Sequence, residues 1–265
     1  MELNKIYNMD CCDLMDMMSN NSIRPNVVLT SPPYNTSRKL AITERAIKNF
    51  ESRYSEYEDF KSNEQYIEWT RNLFRLFDKI LSENGVILYN MSYGSENPSA
   101  MWLTIADIIA NTPFLVADCI VWKKGSALPN NTSPNKLTRI CEYVFVICRK
   151  SEFTTYQSNK QIKSQSKSGQ NYYYNTFNYI EAKNNDGSCD LNKATYSTDL
   201  CNQLLKLYAR KGDLVYDPFI GTGTTAMSCV INDINYIGSE LCEDQCIYAN
   251  NRISTYNGLL QEVIA

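Results

Sequence analysis

Leu214-Val215-Tyr216-Asp217-Pro218-Phe219-Ile220-Gly221-Thr222-Gly223-Thr224-Thr225 is the stretch that decides the fold. Three apolar residues run into an acid and a proline, as a buried strand does at its carboxyl end. Two glycines follow and permit a tight turn with close backbone approach. Thr224-Thr225 then opens a helix predicted over 224–232. Strand, glycine-rich turn and helix are the usual scaffold for a nucleoside-like ligand at the edge of an open α/β sheet. The spacing is neither G-x-G-x-x-G nor G-K-[ST], so no pyrophosphate clamp is encoded. The next strand, Tyr236-Ile237-Gly238-Ser239, ends at Glu240, 19 residues after Gly221. An acid at that distance suits the two hydroxyls of a ribose.

Apolar runs at about 26–30, 86–91, 115–121 and 142–148 predict further strands. Helical periodicity lies between several of them. Glu64 to Leu81 places Ile67, Phe74, Leu76, Phe77 and Ile80 near one face, with Asn84-Gly85 as its stop. Pro98 to Ala110 directs Ile105, Ile108 and Ile109 inward, and Asp199 to Ala209 is a further helix. This alternation predicts a mostly parallel sheet with helices on both faces.

A second distinctive stretch, Thr30-Ser31-Pro32-Pro33-Tyr34-Asn35-Thr36-Ser37, leaves the strand Val27-Val28-Leu29. The prolines stiffen this loop and remove two donors, leaving carbonyl acceptors beside an aromatic ring. Such an array suits a flat heterocycle that bears an amino group.

Ser31-Pro32-Pro33-Tyr34 resembles motif IV of the amino-group DNA methyltransferases, and Asp217 to Thr225 resembles their S-adenosylmethionine loop. The catalytic loop comes first and the cofactor loop last, about 185 residues apart, which is the order of the permuted β group. The resemblance implies a Rossmann-like α/β methyltransferase fold, with a mixed seven-stranded sheet containing one antiparallel strand. It also implies S-adenosylmethionine as cofactor, held by Asp217, Phe219, Gly221, Gly223, Thr224 and Glu240. Asn8-Met9-Asp10-Cys11 looks like motif III, with Asp10 and Cys11 at the cofactor adenine. Thr195 and Tyr196 fall where motif X packs over the methionine part, although the prolines and histidine common there are missing.

The resemblance assigns catalysis to Ser31, Pro32, Pro33 and Tyr34. An exocyclic amine is a poor nucleophile because its lone pair is delocalised into the ring. Acceptors on both amino hydrogens, the Ser31 hydroxyl and the Pro32 carbonyl, would push the nitrogen towards tetrahedral geometry. Tyr34 would stack on a base flipped out of the duplex. Serine at the first position is commoner among N4-cytosine enzymes. Asn35 after the tyrosine is frequent among N6-adenine enzymes, and the reading leans to adenine.

The chain has 265 residues, room for one large α/β domain with a modest insertion. It has no histidine, which excludes every imidazole-dependent base, triad or metal site. Its ten cysteines are scattered without a CxxC pair, so a reducing compartment and no metal are expected. No apolar run reaches about 18 residues, and the amino terminus lacks a signal-peptide core, so a cytoplasmic protein is expected.

The net charge of −3 conceals a basic stretch, because residues 123–167 hold nine lysines and arginines against two glutamates. A phosphate-contacting face is the natural use of such a stretch. Lys123, Lys124 and Arg139 there, and Arg38 and Lys39 after the catalytic loop, are the expected DNA contacts. Residues 1–150 and 191–265 should form the catalytic and cofactor domain. Residues 151–190, rich in tyrosine and amides, should form a target-recognition insertion. Double-stranded DNA is the expected partner, and a homodimer and a cognate restriction endonuclease fit the resemblance. Two rivals stay open: an amino-methyltransferase of RNA or protein glutamine, and a non-catalytic DNA-binding relative.

Overall fold

The computed structural model describes residues 1–35, 61–94, 98–187, 189, 191–192 and 195–264. Ten strands and six helices alternate along these residues. The strands are β1 Lys5–Asn8, β2 Val27–Thr30, β3 Val86–Met91, β4 Phe114–Lys124, β5 Cys141–Arg149, β6 Ile162–Gln165, β7 Asn171–Tyr173, β8 Tyr179–Ala182, β9 Leu214–Asp217 and β10 Asn235–Glu240. The helices are α1 Cys11–Asn20, α2 Asn63–Ile80, α3 Ala100–Asn111, α4 Thr198–Tyr208, α5 Thr224–Ile231 and α6 Glu243–Ile264.

Eight strands make one sheet in the order β1-β10-β9-β2-β3-β5-β4-β8, and β6 and β7 form a separate hairpin. Only β5 runs against its neighbours, pairing antiparallel with β3 and β4. The sheet thus has eight strands where the resemblance implied seven, because Tyr179–Ala182 of the polar insertion pairs with β4. Segment 151–190 is thus partly built into the main body. Its first residues also attach there, since Gln157 N donates to Asn84 O and Asn159 N donates to Leu207 O.

The alternation of side chains along each strand divides the core. Val27, Leu29, Val86, Leu88, Val144, Val146 and Val215 face α4, α5 and α6. Val28, Ile87, Tyr89, Phe145, Ile147 and Tyr216 face α1, α2 and α3. With both faces covered, β2, β3 and β9 are apolar at successive positions, which is why they stood out as runs.

Helix α2 starts at a capping box: Ser62 Oγ accepts from Gln65 N, and Gln65 Oε1 accepts from Ser62 N. Its buried stripe is Tyr66, Thr70, Leu73, Phe74, Phe77 and Ile80, so Ile67 and Leu76 sit at the margin. The helix ends at Ile80, one residue before the expected Leu81, and its cap is Leu81 and not Asn84-Gly85. Leu81 breaks it with extended backbone, and Asn84 rather than Gly85 takes the left-handed turn at φ 57°. On α3, Ile105 and Ile108 are buried, but Ile109 turns to solvent. No helix among the described residues is long and apolar enough to cross a membrane.

Candidate active site

Strand β2 pairs on one side with β9 and on the other with β3, all parallel. The loops after β9 and β2 therefore leave the same edge of the sheet, side by side. That edge is where open α/β sheets place their ligands. A cleft of about 960 Å³, its open mouth included, lies there between the ends of β1, β2, β9 and β10.

Asp217 lies under this cleft and does not border it. Its carboxylate is buried and accepts four hydrogen bonds. Oδ1 takes Thr30 Oγ1 at 2.8 Å and Phe219 N at 3.0 Å. Oδ2 takes Thr225 Oγ1 at 2.5 Å and the Tyr196 hydroxyl at 3.1 Å. Burial pushes this carboxyl above the usual range, and the donors pull it back towards ionisation. Asp217 is thus a junction for β2, β9, α5 and the segment before α4, beneath the cleft where the resemblance placed it among the cofactor ligands. Tyr196 borders the cleft, but its hydroxyl points down to Asp217 and Thr225.

The two glycines differ in use. Gly221 borders the cleft at φ 52°, and a Cβ there would stand 3.2 Å from Asn192 Nδ2. Gly223 lies behind the cleft lining and caps α5 at φ 82°; its Cβ would stand 2.8 Å from that of Ala249. Gly238 of β10 is a third, since a Cβ there would stand 2.2 Å from Ile220 Cδ1 and disturb the cleft floor.

Glu240 borders the cleft from the end of β10. Its Oε2 accepts from Gly221 N at 3.0 Å and its Oε1 from Cys242 N at 2.9 Å. Burial raises its pKa above that of a free glutamate, and these N–H groups partly offset the rise. Asp10, Cys11, Thr195, Phe219 and Thr224 also border the cleft. Asp10 Oδ1 caps α1 by accepting from Cys12 N at 2.7 Å. Asp10, Cys11 and Cys12 are the described cluster whose ligand atoms could meet a metal, lying within 4.8 Å of one another.

Three residues that the sequence did not assign to the site join them. Trp69 of α2 reaches the cleft with its ring 5.7 Å from that of Phe219. Asn192 and Gln245 are buried at the rim and bonded to each other at 2.9 Å. Trp69 carried no local signal, because only the packing of α2 brings it to the loop after β9.

On the serine-proline loop after β2, Ser31 and Pro33 border the cleft, while Pro32 is buried and Tyr34 half-buried. The Pro33 carbonyl is not a spare acceptor as expected, since the Tyr66 hydroxyl donates to it at 2.8 Å. The Ser31 and Tyr34 hydroxyls lie 2.8 Å apart. The Tyr34 hydroxyl donates to Glu142 Oε2 at 3.1 Å. Asn90 Nδ2 lies 2.6 Å from the Tyr34 oxygen and 3.1 Å from the same Glu142 oxygen. Asn35 clamps the base of the following loop, its amide bonded to both Lys61 O and Lys61 N.

The expected DNA contacts separate. Adjacent residues on a strand face opposite sides. Lys124 turns to Glu142, 2.8 Å from Oε1, with both side chains largely covered. Lys123 turns to Glu181, in a pair with side chains 41% and 60% exposed. The two lysines therefore point to opposite faces and hold different carboxylates. Arg139 lies over the Tyr93 ring, 5.0 Å from its centroid, and donates to Tyr93 O. Arg38 and Lys39 lie outside the described residues.

The family of N6/N4 methyltransferases, described as DNA methylase, matches residues 26–251.

This chain belongs to that family.

Relatives agree along nearly its whole length. The orphan methyltransferase M.BamHII of Bacillus amyloliquefaciens is 24% identical over 264 residues, covering 87% of this chain and 89% of its own. The type II methyltransferase M2.MboI of Moraxella bovis is also 24% identical, covering 89% of this chain and 82% of its own. Among solved structures, the PvuII DNA methyltransferase (cytosine-N4-specific) aligns with TM-score 0.67 at 17% identity, over 92% of this chain and 84% of that one. M1.HpyAVI in its S-adenosylmethionine complex aligns with TM-score 0.61 at 19% identity, over 94% and 98%. The chain thus shares the DNA methylase fold, and the enzyme uses S-adenosylmethionine to methylate an amino group in DNA. The cleft fits that cofactor: Gly221 leaves a cradle that a Cβ would fill, an acid closes one end, and two aromatic rings stand near each other.

Proposed function

We propose that this methylase acts on the exocyclic amino group of a base flipped out of double-stranded DNA, with Ser31, Pro32, Pro33 and Tyr34 as its catalytic loop. The observation that carries the reading is the place of Ser31, at the end of β2 and on the wall of the cleft that Glu240 and Phe219 share. Bound S-adenosylmethionine supplies an electrophilic methyl group. Glu240 would accept the ribose hydroxyls, and Trp69 and Phe219 would stack on the adenine. Ser31 Oγ and the Pro32 carbonyl would accept the two amino hydrogens, which holds the nitrogen lone pair towards the methyl group. Tyr34 keeps its hydroxyl fixed while its ring offers a stacking face.

Serine suits adenine N6 and cytosine N4 alike, since both amines present two hydrogens. Asn35 does not support a choice of adenine here, because its amide is used on Lys61. The hairpin of β6 and β7 extends the reading to recognition. Tyr172, Tyr173, Tyr174 and Phe177 on and after it are exposed, and Lys160 lies over the Tyr173 ring. Aromatic faces beside lysines suit bases beside phosphates. The cytoplasm is the compartment we infer, with the ten cysteines free as described. A homodimer and a cognate endonuclease belong to the same reading, to be decided by sizing chromatography and by the neighbouring genes.

Transfer of labelled methyl groups from S-adenosylmethionine to unmethylated duplex, to RNA and to protein tests the reading. Incorporation into DNA that Ser31→Ala reduces by about 100-fold or more is expected. Incorporation into RNA or protein alone, or an unaffected Ser31→Ala variant, would overturn it.

A further inference from the structure

The Ser31 hydroxyl must act as an acceptor, yet a serine hydroxyl can equally donate. Something must set its direction. A carboxylate can, because when ionised it only accepts. Glu142 stands near the start of β5 with Oε2 on the Tyr34 hydroxyl and Oε1 on the Lys124 ammonium, 2.8 Å away. The Tyr34 proton therefore points to Glu142. The Tyr34 oxygen is left to accept, and it takes Asn90 Nδ2 at 2.6 Å and the Ser31 hydroxyl at 2.8 Å. The Ser31 proton is thereby directed away from the cleft, and its oxygen is left to accept, from Asn90 Nδ2 at 3.4 Å and from the target amine. Asn90 reinforces the direction, since its amide nitrogen faces Tyr34 and Glu142, while its buried Oδ1 has no partner among the described residues.

We propose that Glu142, acting through Tyr34, sets Ser31 as an acceptor and takes up the proton that leaves the target nitrogen. The inference rests on the amino-methylation proposed above. As the nitrogen–carbon bond forms and the sulfonium–carbon bond breaks, the nitrogen becomes cationic and must lose one proton. That proton passes to Ser31 Oγ, the Ser31 proton to the Tyr34 oxygen, and the Tyr34 proton to Glu142 Oε2. Each hydroxyl gains one proton and gives one, and the carboxylate ends as a carboxylic acid that water later deprotonates. Lys124 from β4 stays paired with the other carboxylate oxygen, 2.8 Å from Oε1. The titratable groups facing Glu142 are that ammonium and the Tyr34 phenol from the loop after β2; Asn90 of β3 is neutral.

Single-turnover methylation of DNA across pH, with wild type, Glu142→Gln and Glu142→Asp, tests the proposal. Calorimetric titration with S-adenosylmethionine supplies a readout independent of turnover. Wild type should lose rate on acidification. Glu142→Gln should be slower by about 100-fold or more, with that acid limb gone and cofactor affinity within about threefold. Glu142→Asp should be slow but keep the limb. A Glu142→Gln enzyme as fast as wild type, or slow with the limb intact, would overturn the proposal alone. A wild type that binds cofactor but methylates no DNA would overturn it together with the proposed function.

Discussion

Thr30 Oγ1 donates to Asp217 Oδ1 at 2.8 Å across 187 residues of sequence. This bond joins the strand that carries the serine-proline loop to the strand that carries the glycine turn. The permuted halves share one sheet through the pairing of β2 with β9, and this bond fixes the two loops at its edge. Thr30→Val should remove the bond at nearly constant volume and leave Asp217 with three donors. We expect a loss of about 1–2 kcal/mol in unfolding free energy by denaturant titration. An unchanged midpoint would show that the junction does not hold the halves together.

Tyr196→Phe separates a strut from a ligand. Its hydroxyl is used on Asp217 and Thr225, so the variant should lose about 1 kcal/mol of stability. Cofactor affinity, measured by calorimetry, should stay within about threefold. A loss beyond about tenfold at unchanged stability would place the hydroxyl on the cofactor instead.

Gly238→Ala acts on the cleft from behind. The new Cβ would collide with Ile220, which lines the cleft. Cofactor affinity should fall about tenfold or more, at an overpacking cost of about 1–3 kcal/mol. Gly238→Ala combined with Ile220→Ala should regain most of the affinity. Failure of the double variant to recover would sink this account of the cleft floor.

Cofactor affinity should depend on pH through Glu240. Burial raises its pKa above 4.5, so the folded protein holds this proton more tightly than the unfolded chain. Stability from this group is therefore present below 4.5 and lost as pH rises through the raised value. Asp217 shifts in the same direction and adds to the trend. Binding of ribose hydroxyls needs the ionised form, so affinity should weaken as pH falls towards 4.5. Glu240→Gln should bind weakly and lose that dependence. A parallel pH dependence in both proteins would remove Glu240 from the ribose.

The two lysines at the end of β4 should behave differently on DNA. The Lys123–Glu181 pair is exposed to solvent and therefore weak, so phosphate can compete for Lys123. Lys123→Ala should reduce the salt slope of DNA binding by about one. Lys124→Ala should leave that slope alone and slow turnover, because Lys124 serves Glu142. Equal slopes for both variants would contradict the separation.

Much of this was legible because it is local. The runs at β2, β3 and β9 are buried on both faces, so their apolar residues are consecutive. The glycine turn and the serine-proline loop each occupy one short stretch. The rest depends on distance. Glu142 meets Tyr34 across 108 residues, and no spacing in the sequence announces it. Strand β8 is an edge strand with only Ile180 and Ala182 buried, so it was lost within a polar segment. Lys123 and Lys124 read as one basic pair until the strand placed them on opposite faces. The resemblance places Tyr196 over the cofactor, but only the fold shows its hydroxyl turned to Asp217.

The most direct measurement is nucleoside analysis. Unmethylated DNA is incubated with the enzyme and S-adenosylmethionine, digested, and examined by mass spectrometry beside Ser31→Ala. The account predicts N6-methyladenine or N4-methylcytosine from wild type, which also identifies the target base, and about 100-fold less or lower from the variant. Methylation of a ring carbon, or none in DNA by an enzyme that binds the cofactor, would contradict it.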